Sequence, residues 1–214
     1  MPLEKKILNK ENTIGIWKIS ETISQLERMI DLSGSDARRY QEIQNEPRKK
    51  QFLASRILLS ENRGISKPVN VLYDKNGKPH IRHSDHHISI SHSGIYAAVI
   101  VNKLSSTGID IELIKPGIER IAKKFLNEAE LENSNGKDKK EKMHIYWGAK
   151  ECLYKLHGKK GLIFTKNLLI DKFDYKKKGR ITGSIKAKDS DKKYVLAYEK
   201  INEYMLVYIF KEKN

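Results

Sequence analysis

Apolar and polar residues alternate along Gly108-Ile109-Asp110-Ile111-Glu112, the period of a β-strand with one buried face. Asp110 and Glu112 therefore leave the strand on the same side. Two like charges so placed repel unless something positive sits between them. Either the pair meets water on an edge strand, or it holds a hard divalent cation such as Mg²⁺, which takes oxygen ligands.

The N-terminal pattern predicts a strand over 13–19, then a helix behind Ser20 with Ile23, Leu26 and Ile30 on one face. Asp36 opens a second helix, and Pro47 either breaks it or starts a third. That third helix, closed at Gly64, carries Phe52, Ile57, Leu58 and Leu59 toward a core. Arg48, Lys49, Lys50 and Arg56 give it a basic flank. Short strands over 69–73 and 79–82 bracket Asn76-Gly77, a good hairpin turn. A strand over 87–91 passes through the polar turn Ser91-His92-Ser93-Gly94 into an apolar strand over 95–101.

In the second half, 118–126 is amphipathic and Asn127 caps a short helix. The stretch 132–142 has almost nothing to bury and reads as a mobile loop. A helix over 143–157, closed by Gly158, is followed by strands over 168–175, 180–186, 194–198 and 204–210. Each half thus reads as a strand, then helices, then antiparallel strands. The expected class is α+β, with two subdomains of similar plan, 1–104 and 105–214. Each packs helices on a mostly antiparallel sheet, and the active site is expected where they meet.

On the long helix, Ala149, Cys152, Leu153 and Leu156 share one face, which is assigned to the core. Glu151 and Lys155, four apart, stack on another. One reading is a surface ion pair. The other places Glu151 with Asp110 and Glu112 at a metal, with Lys155 neutralising phosphate beside it.

Composition narrows the setting. The 214 residues carry a formal net charge of +15, which attracts nucleic acid, phosphorylated small molecules or acidic proteins. The longest apolar run, 95–101, is too short to cross a bilayer, so no membrane association is expected. Charges occupy the N-terminal positions where a signal peptide needs its apolar core. The single cysteine, Cys152, fits a reducing compartment, and the cytoplasm is the expected location.

Gly108–Glu112 (GIDIE), followed roughly forty residues on by Trp147–Lys155 (WGAKECLYK), resembles the paired signature of the 4′-phosphopantetheinyl transferases. Three further stretches agree in the family's order: RKKQFLASR over 48–56, NGKP over 76–79 and SISHSG over 89–94. Overall length resembles the surfactin-type, two-lobed monomeric branch. The resemblance implies transfer of the phosphopantetheine arm of coenzyme A to a serine of an acidic acyl, polyketide or peptidyl carrier protein. It implies Asp110, Glu112 and Glu151 as Mg²⁺ ligands, with Lys155 on the phosphates and Glu151 as candidate general base. His92 with Lys50, and Arg48 nearby, would hold the 3′-phosphate. Lys78 and Ser91 would line the nucleotide pocket. Gly148 and Cys152 depart from the usual pattern without removing a ligand.

Three other readings compete. A metal-dependent nuclease also uses clustered carboxylates and a lysine, but its lysine typically follows a carboxylate by two positions on a strand. An RNA-binding module would draw on the positive charge and on Tyr194, Tyr198, Tyr204 and Tyr208. Nucleic acid is not the expected partner, however. His80, His83, His86 and His87 suggest zinc but lack a supporting cysteine pair.

Overall fold

A computed structural model describes residues 3–8, 11–61, 69–187 and 190–213. The chain divides into two compact units, Met1–Thr107 and Gly108–Asn214. Both combine helices with an antiparallel sheet, so the class is α+β.

The first unit opens with β1 (Leu3–Leu8) and β2 (Asn12–Lys18). Three helices follow: α1 (Ile23–Glu27), α2 (Gly34–Glu42) and α3 (Glu46–Ser60). The strands β3 (Val71–Tyr73), β4 (Pro79–Ile81), β5 (His87–Ser93) and β6 (Tyr96–Asn102) complete it. The sheet order is β1-β2-β6-β5-β4-β3. Thr22, not Ser20, caps α1, because Thr22 and Gln25 close a reciprocal capping box. Pro47 lies in the first turn of α3, whose N-cap Asn45 accepts the Arg48 N–H at 2.9 Å. The predicted stop at Gly64 lies outside the described residues.

Helix α3 packs Leu53, Ala54, Ile57 and Leu58 with Trp17, Ile88, Val99 and Val101 of the sheet. Each buried Leu, Ile or Val among them contributes about 1.5–3 kcal/mol relative to exposure. Arg56 is not part of a solvated flank. It is 1 % exposed and its guanidinium lies 2.7 Å from the Asp36 carboxylate, while Asp36 also accepts the Val71 N–H at 3.0 Å. A charge reaches this depth only when paired and hydrogen-bonded.

The second unit begins with β7 (Ile109–Leu113) and a 3₁₀ turn, Ile118–Ile121. Helices α4 (Ala122–Phe125), α5 (Glu128–Ser134), α6 (Lys139–His157) and α7 (Phe164–Asn167) follow. The strands β8 (Leu168–Ile170), β9 (Lys178–Ala187), β10 (Ser190–Ile201) and β11 (Tyr204–Lys213) end it. The order β7-β11-β10-β9-β8 makes β7 an edge strand beside β11. Ala149, Cys152, Leu153 and Leu156 of α6 enter one core with Leu168, Ile181, Leu196 and Val207. Helix α6 ends at Gly158, whose φ of 68° is the left-handed cap.

The expected mobile loop over 132–142 is mostly helical. An Asn127–Glu130 capping box starts α5, Ser134 is buried, and Lys142 Nζ donates to the Asn133 carbonyl at 2.7 Å. Side chain-to-backbone bonds order a segment that has little apolar surface. Strand β8 is shorter than the pattern over 168–175, because Phe173 and Tyr175 leave the ladder and pack on the core instead.

Candidate active site

The acidic pair sits on β7, where Asp110 lies opposite Val207 and Glu112 opposite Met205. Ile109 and Ile111, on the other face, are fully buried. Strand and helix approach closely here. A Cβ added to Gly108 would lie 2.1 Å from the Cys152 carbonyl oxygen, and one added to Gly148 would lie 2.8 Å from Val207 Cγ2 and 3.5 Å from Asp110 Oδ2. Both glycines thus allow α6 to lie against β7 and β11.

That approach delivers Lys155 to the strand. Its Nζ donates to Asp110 Oδ1 at 2.7 Å and to the Ile109 carbonyl at 2.9 Å. Burial opposes the lysine charge, but Asp110, Cys152 and Glu151 hold its pKa above the ordinary value. The i,i+4 spacing on α6 therefore brings Lys155 across to β7. Burial also pushes the Glu151 carboxyl up to about 7; Lys155 pulls it down, and the charges of Asp110 and Glu112 push it further up. Three carboxylates and one ammonium thus share a field in the second unit. Cys152 is no nucleophile: its Sγ donates to the Val207 carbonyl at 3.2 Å, and burial raises the thiol pKa well above normal.

The donor chemistry suits a hard cation: three carboxylates, two on neighbouring positions of one strand face and one raised chiefly by burial and further by their charge. No finished cage is present among the described residues, where no three His, Cys, Asp or Glu side chains are gathered to hold a metal. Glu112 also borders a cavity of about 370 Å³ with Leu113, Ile118 and Trp147, edged by Lys115 and Arg120.

The other predicted residues belong to the first unit. Arg48 and Lys50 lie on α3, where Lys50 Nζ is 3.1 Å from Glu46. The next residue, Gln51, donates to the Gly94 carbonyl at 2.9 Å, tying the start of α3 to the turn after His92. Burial lowers the Arg48 pKa, opposed by Tyr73. Ser91 and His92 are consecutive on β5 and project to opposite faces. His92 shares the face of Ile88, which packs with α3; Ser91 lies behind it, so the two side chains do not line one wall. Lys78 is set by the 74–78 turn, where Asp74 accepts the Asn76 and Lys78 N–H groups, and its Nζ donates to Ser106.

Sequence patterning missed Lys150. It is fully buried next to Glu151, with Nζ 2.6 Å from Glu130 and 2.9 Å from the Phe164 carbonyl. The available signal was a lysine inside the apolar arc of α6, and the Asn127–Glu130 capping spacing named its region.

Residues 106–209 match the family model described as the 4′-phosphopantetheinyl transferase superfamily. A 4′-phosphopantetheinyl transferase of Bacillus subtilis is 33 % identical over 135 residues, covering 61 % of this chain. The match spans 58 % of that relative, less than two thirds of its length.

Proposed function

We propose, because residues 106–209 match the 4′-phosphopantetheinyl transferase superfamily model, that the chain moves the phosphopantetheine arm of coenzyme A onto a serine of a carrier protein. The observation that carries this reading is the grouping of Asp110, Glu112, Glu151 and Lys155 through the contact of β7 with α6. A diphosphate substrate needs this combination of oxygen donors and a fixed cation.

Asp110, Glu112 and Glu151 are the proposed Mg²⁺ ligands, and Mg²⁺ would there offset charge on the diphosphate. Lys155 is already held at this point by Asp110. It would donate to the phosphate oxygens and stabilise the departing one. Glu151 is also the proposed general base; a bound Mg²⁺ would lower its carboxyl from the value of about 7 that burial gives it in the metal-free protein. In the reaction the serine oxygen bonds to the β-phosphorus of coenzyme A as the bond to the bridging oxygen breaks. Glu151, directly or through water, takes the hydroxyl proton, and adenosine 3′,5′-bisphosphate leaves.

In the first unit, Arg48, Lys50 and His92 are assigned to the 3′-phosphate of coenzyme A, and Lys78 and Ser91 to its nucleotide pocket. The cavity beside Glu112 is assigned to the carrier segment; its basic edge suits an acidic partner. We further propose a cytoplasmic monomer with no nucleic-acid partner. Tyr194, Tyr198, Tyr204 and Tyr208 are each buried and offer no stacking platform for RNA bases.

Incubation with coenzyme A, Mg²⁺ and an apo carrier protein tests the function. A mass gain of one phosphopantetheine arm on the carrier is the expected result. No gain across acyl, polyketide and peptidyl carriers would overturn it.

A further inference from the structure

Glu130 and Lys150 form a buried ion pair away from the proposed chemistry, 2 % and 0 % exposed. Lys150 Nζ donates to Glu130 Oε2 at 2.6 Å and to the Phe164 carbonyl at 2.9 Å. Glu130 Oε1 accepts the Ile170 N–H at 2.9 Å, and its Oε2 accepts the Asn127 N–H at 2.9 Å. One carboxylate and one ammonium thus tie together the start of α5, the middle of α6, α7 and the backbone of β8. Lys150 is the residue immediately before Glu151.

Lys155, on the turn after Glu151, donates to Asp110 and the Ile109 carbonyl, and Cys152 Sγ donates to the Val207 carbonyl; the other contacts of α6 with its sheet are largely apolar, and apolar contacts are non-directional. A stripe of Ala149, Cys152, Leu153 and Leu156 tolerates small slides and rotations. A buried ammonium does not, because it must meet its acceptors at hydrogen-bond distance or be left with an uncompensated charge. Turning α6 by one residue, about 100°, would break Lys150 from both partners. It would also carry Glu151 away from β7.

We propose that Lys150, held by Glu130, is a positioning residue that fixes the register of α6 so that Glu151 is kept on the side of the helix facing the strand that carries Asp110 and Glu112. The inference rests on the reading of those three carboxylates as a metal site. It assigns a buried lysine that makes no contact with substrate to the geometry of the reaction.

The test compares wild type with the apolar double variant Lys150→Met/Glu130→Leu, which removes both charges together and leaves neither unpaired. Lys150→Arg serves as the conservative control. Mg²⁺ binding is measured by calorimetry beside thermal unfolding and transfer kinetics. The double variant is expected to unfold cooperatively yet bind Mg²⁺ about tenfold more weakly, the size typical for lost support of a metal ligand. Its transfer rate should recover at high Mg²⁺. Lys150→Arg, which keeps charge and donors, should stay within about threefold of wild type, a tolerance set below that loss. If the double variant does not fold, Lys150→Met/Glu130→Gln, which keeps an acceptor for the Ile170 and Asn127 N–H groups, replaces it: wild-type Mg²⁺ affinity in that folded variant would overturn the proposal, and weakened affinity would support it. A folded double variant with wild-type Mg²⁺ affinity would overturn the proposal alone. A wild-type protein that neither binds Mg²⁺ nor responds to Glu151→Gln would overturn the metal reading, and the proposal with it.

Discussion

Lys155 reaches across from α6 to stand 2.7 Å from Asp110 on β7. The aspartate side chain is 5 % exposed and the lysine 27 %, so solvent screens the pair only partly. Lys155→Met should cost about 2 kcal/mol, less than a fully buried pair because of that exposure. In urea titrations, Lys155→Met and Asp110→Asn should show a coupling above about 1 kcal/mol in a double-mutant cycle. Strictly additive effects would mean that the contact contributes nothing to stability.

Removing a carboxylate should harm transfer much more than folding. Asp110→Ala, Glu112→Ala and Glu151→Ala are each expected to lower transfer at least about 100-fold, as loss of a preorganised electrostatic group does. Circular dichroism should find all three folded. A variant with wild-type rates would remove that residue from the site.

The raised Glu151 carboxyl gives a pH signature. In the unfolded chain it ionises near 4.5, and in the folded protein near 7. Between those values the native state binds the extra proton, so its contribution to stability is complete below 4.5 and is lost as pH rises through 7. The loss is on the order of a few kcal/mol. Metal-free protein should therefore melt at lower temperature at pH 8 than at pH 5.5 through this residue. Glu151→Gln should flatten that slope, as should Mg²⁺. An unchanged slope in Glu151→Gln would assign the effect to other groups.

Two glycines should respond differently to alanine. At Gly108 the new methyl would meet backbone, Cys152 O at 2.1 Å, which can yield only by parting β7 from α6. The expected cost is about 3 kcal/mol. At Gly148 it meets the Val207 side chain, which can shift, and alanine returns about 1 kcal/mol of helix propensity. Gly148→Ala should leave stability within about 1 kcal/mol, and denaturation midpoints compare the two directly. Equal effects at both positions would contradict the close backbone approach.

Alternation along Gly108–Glu112 revealed the β7 strand and its acidic face, and helical spacing revealed the buried face of α6. Both are local periodicities, visible in any window of residues. The charged interior was not legible. Arg56 looks like an ordinary helix-surface charge, and Lys150, although it falls inside the apolar arc of α6, shows no partner, because Asp36 and Glu130 stand 20 residues away in each case. Nothing in the spacing announces such a pairing. The 132–142 segment misled for a related reason: its order comes from caps and side chain-to-backbone bonds, which composition does not register. Opposite faces of Ser91 and His92 follow from strand geometry, yet a motif read as a string conceals them.

Strand β7 has one hydrogen-bonded neighbour in its sheet, β11. During synthesis the two acidic residues leave the ribosome well before that neighbour exists, and everything between must be made first. Until then the strand bearing them has no strand to pair with. Lys155 emerges before β11 as well, so its partner on β7 cannot yet be held in place. The second unit therefore gains its proposed catalytic corner only once β11 has been made, and a chain cut short before residue 204 would carry the acidic strand without the neighbour that pairs it.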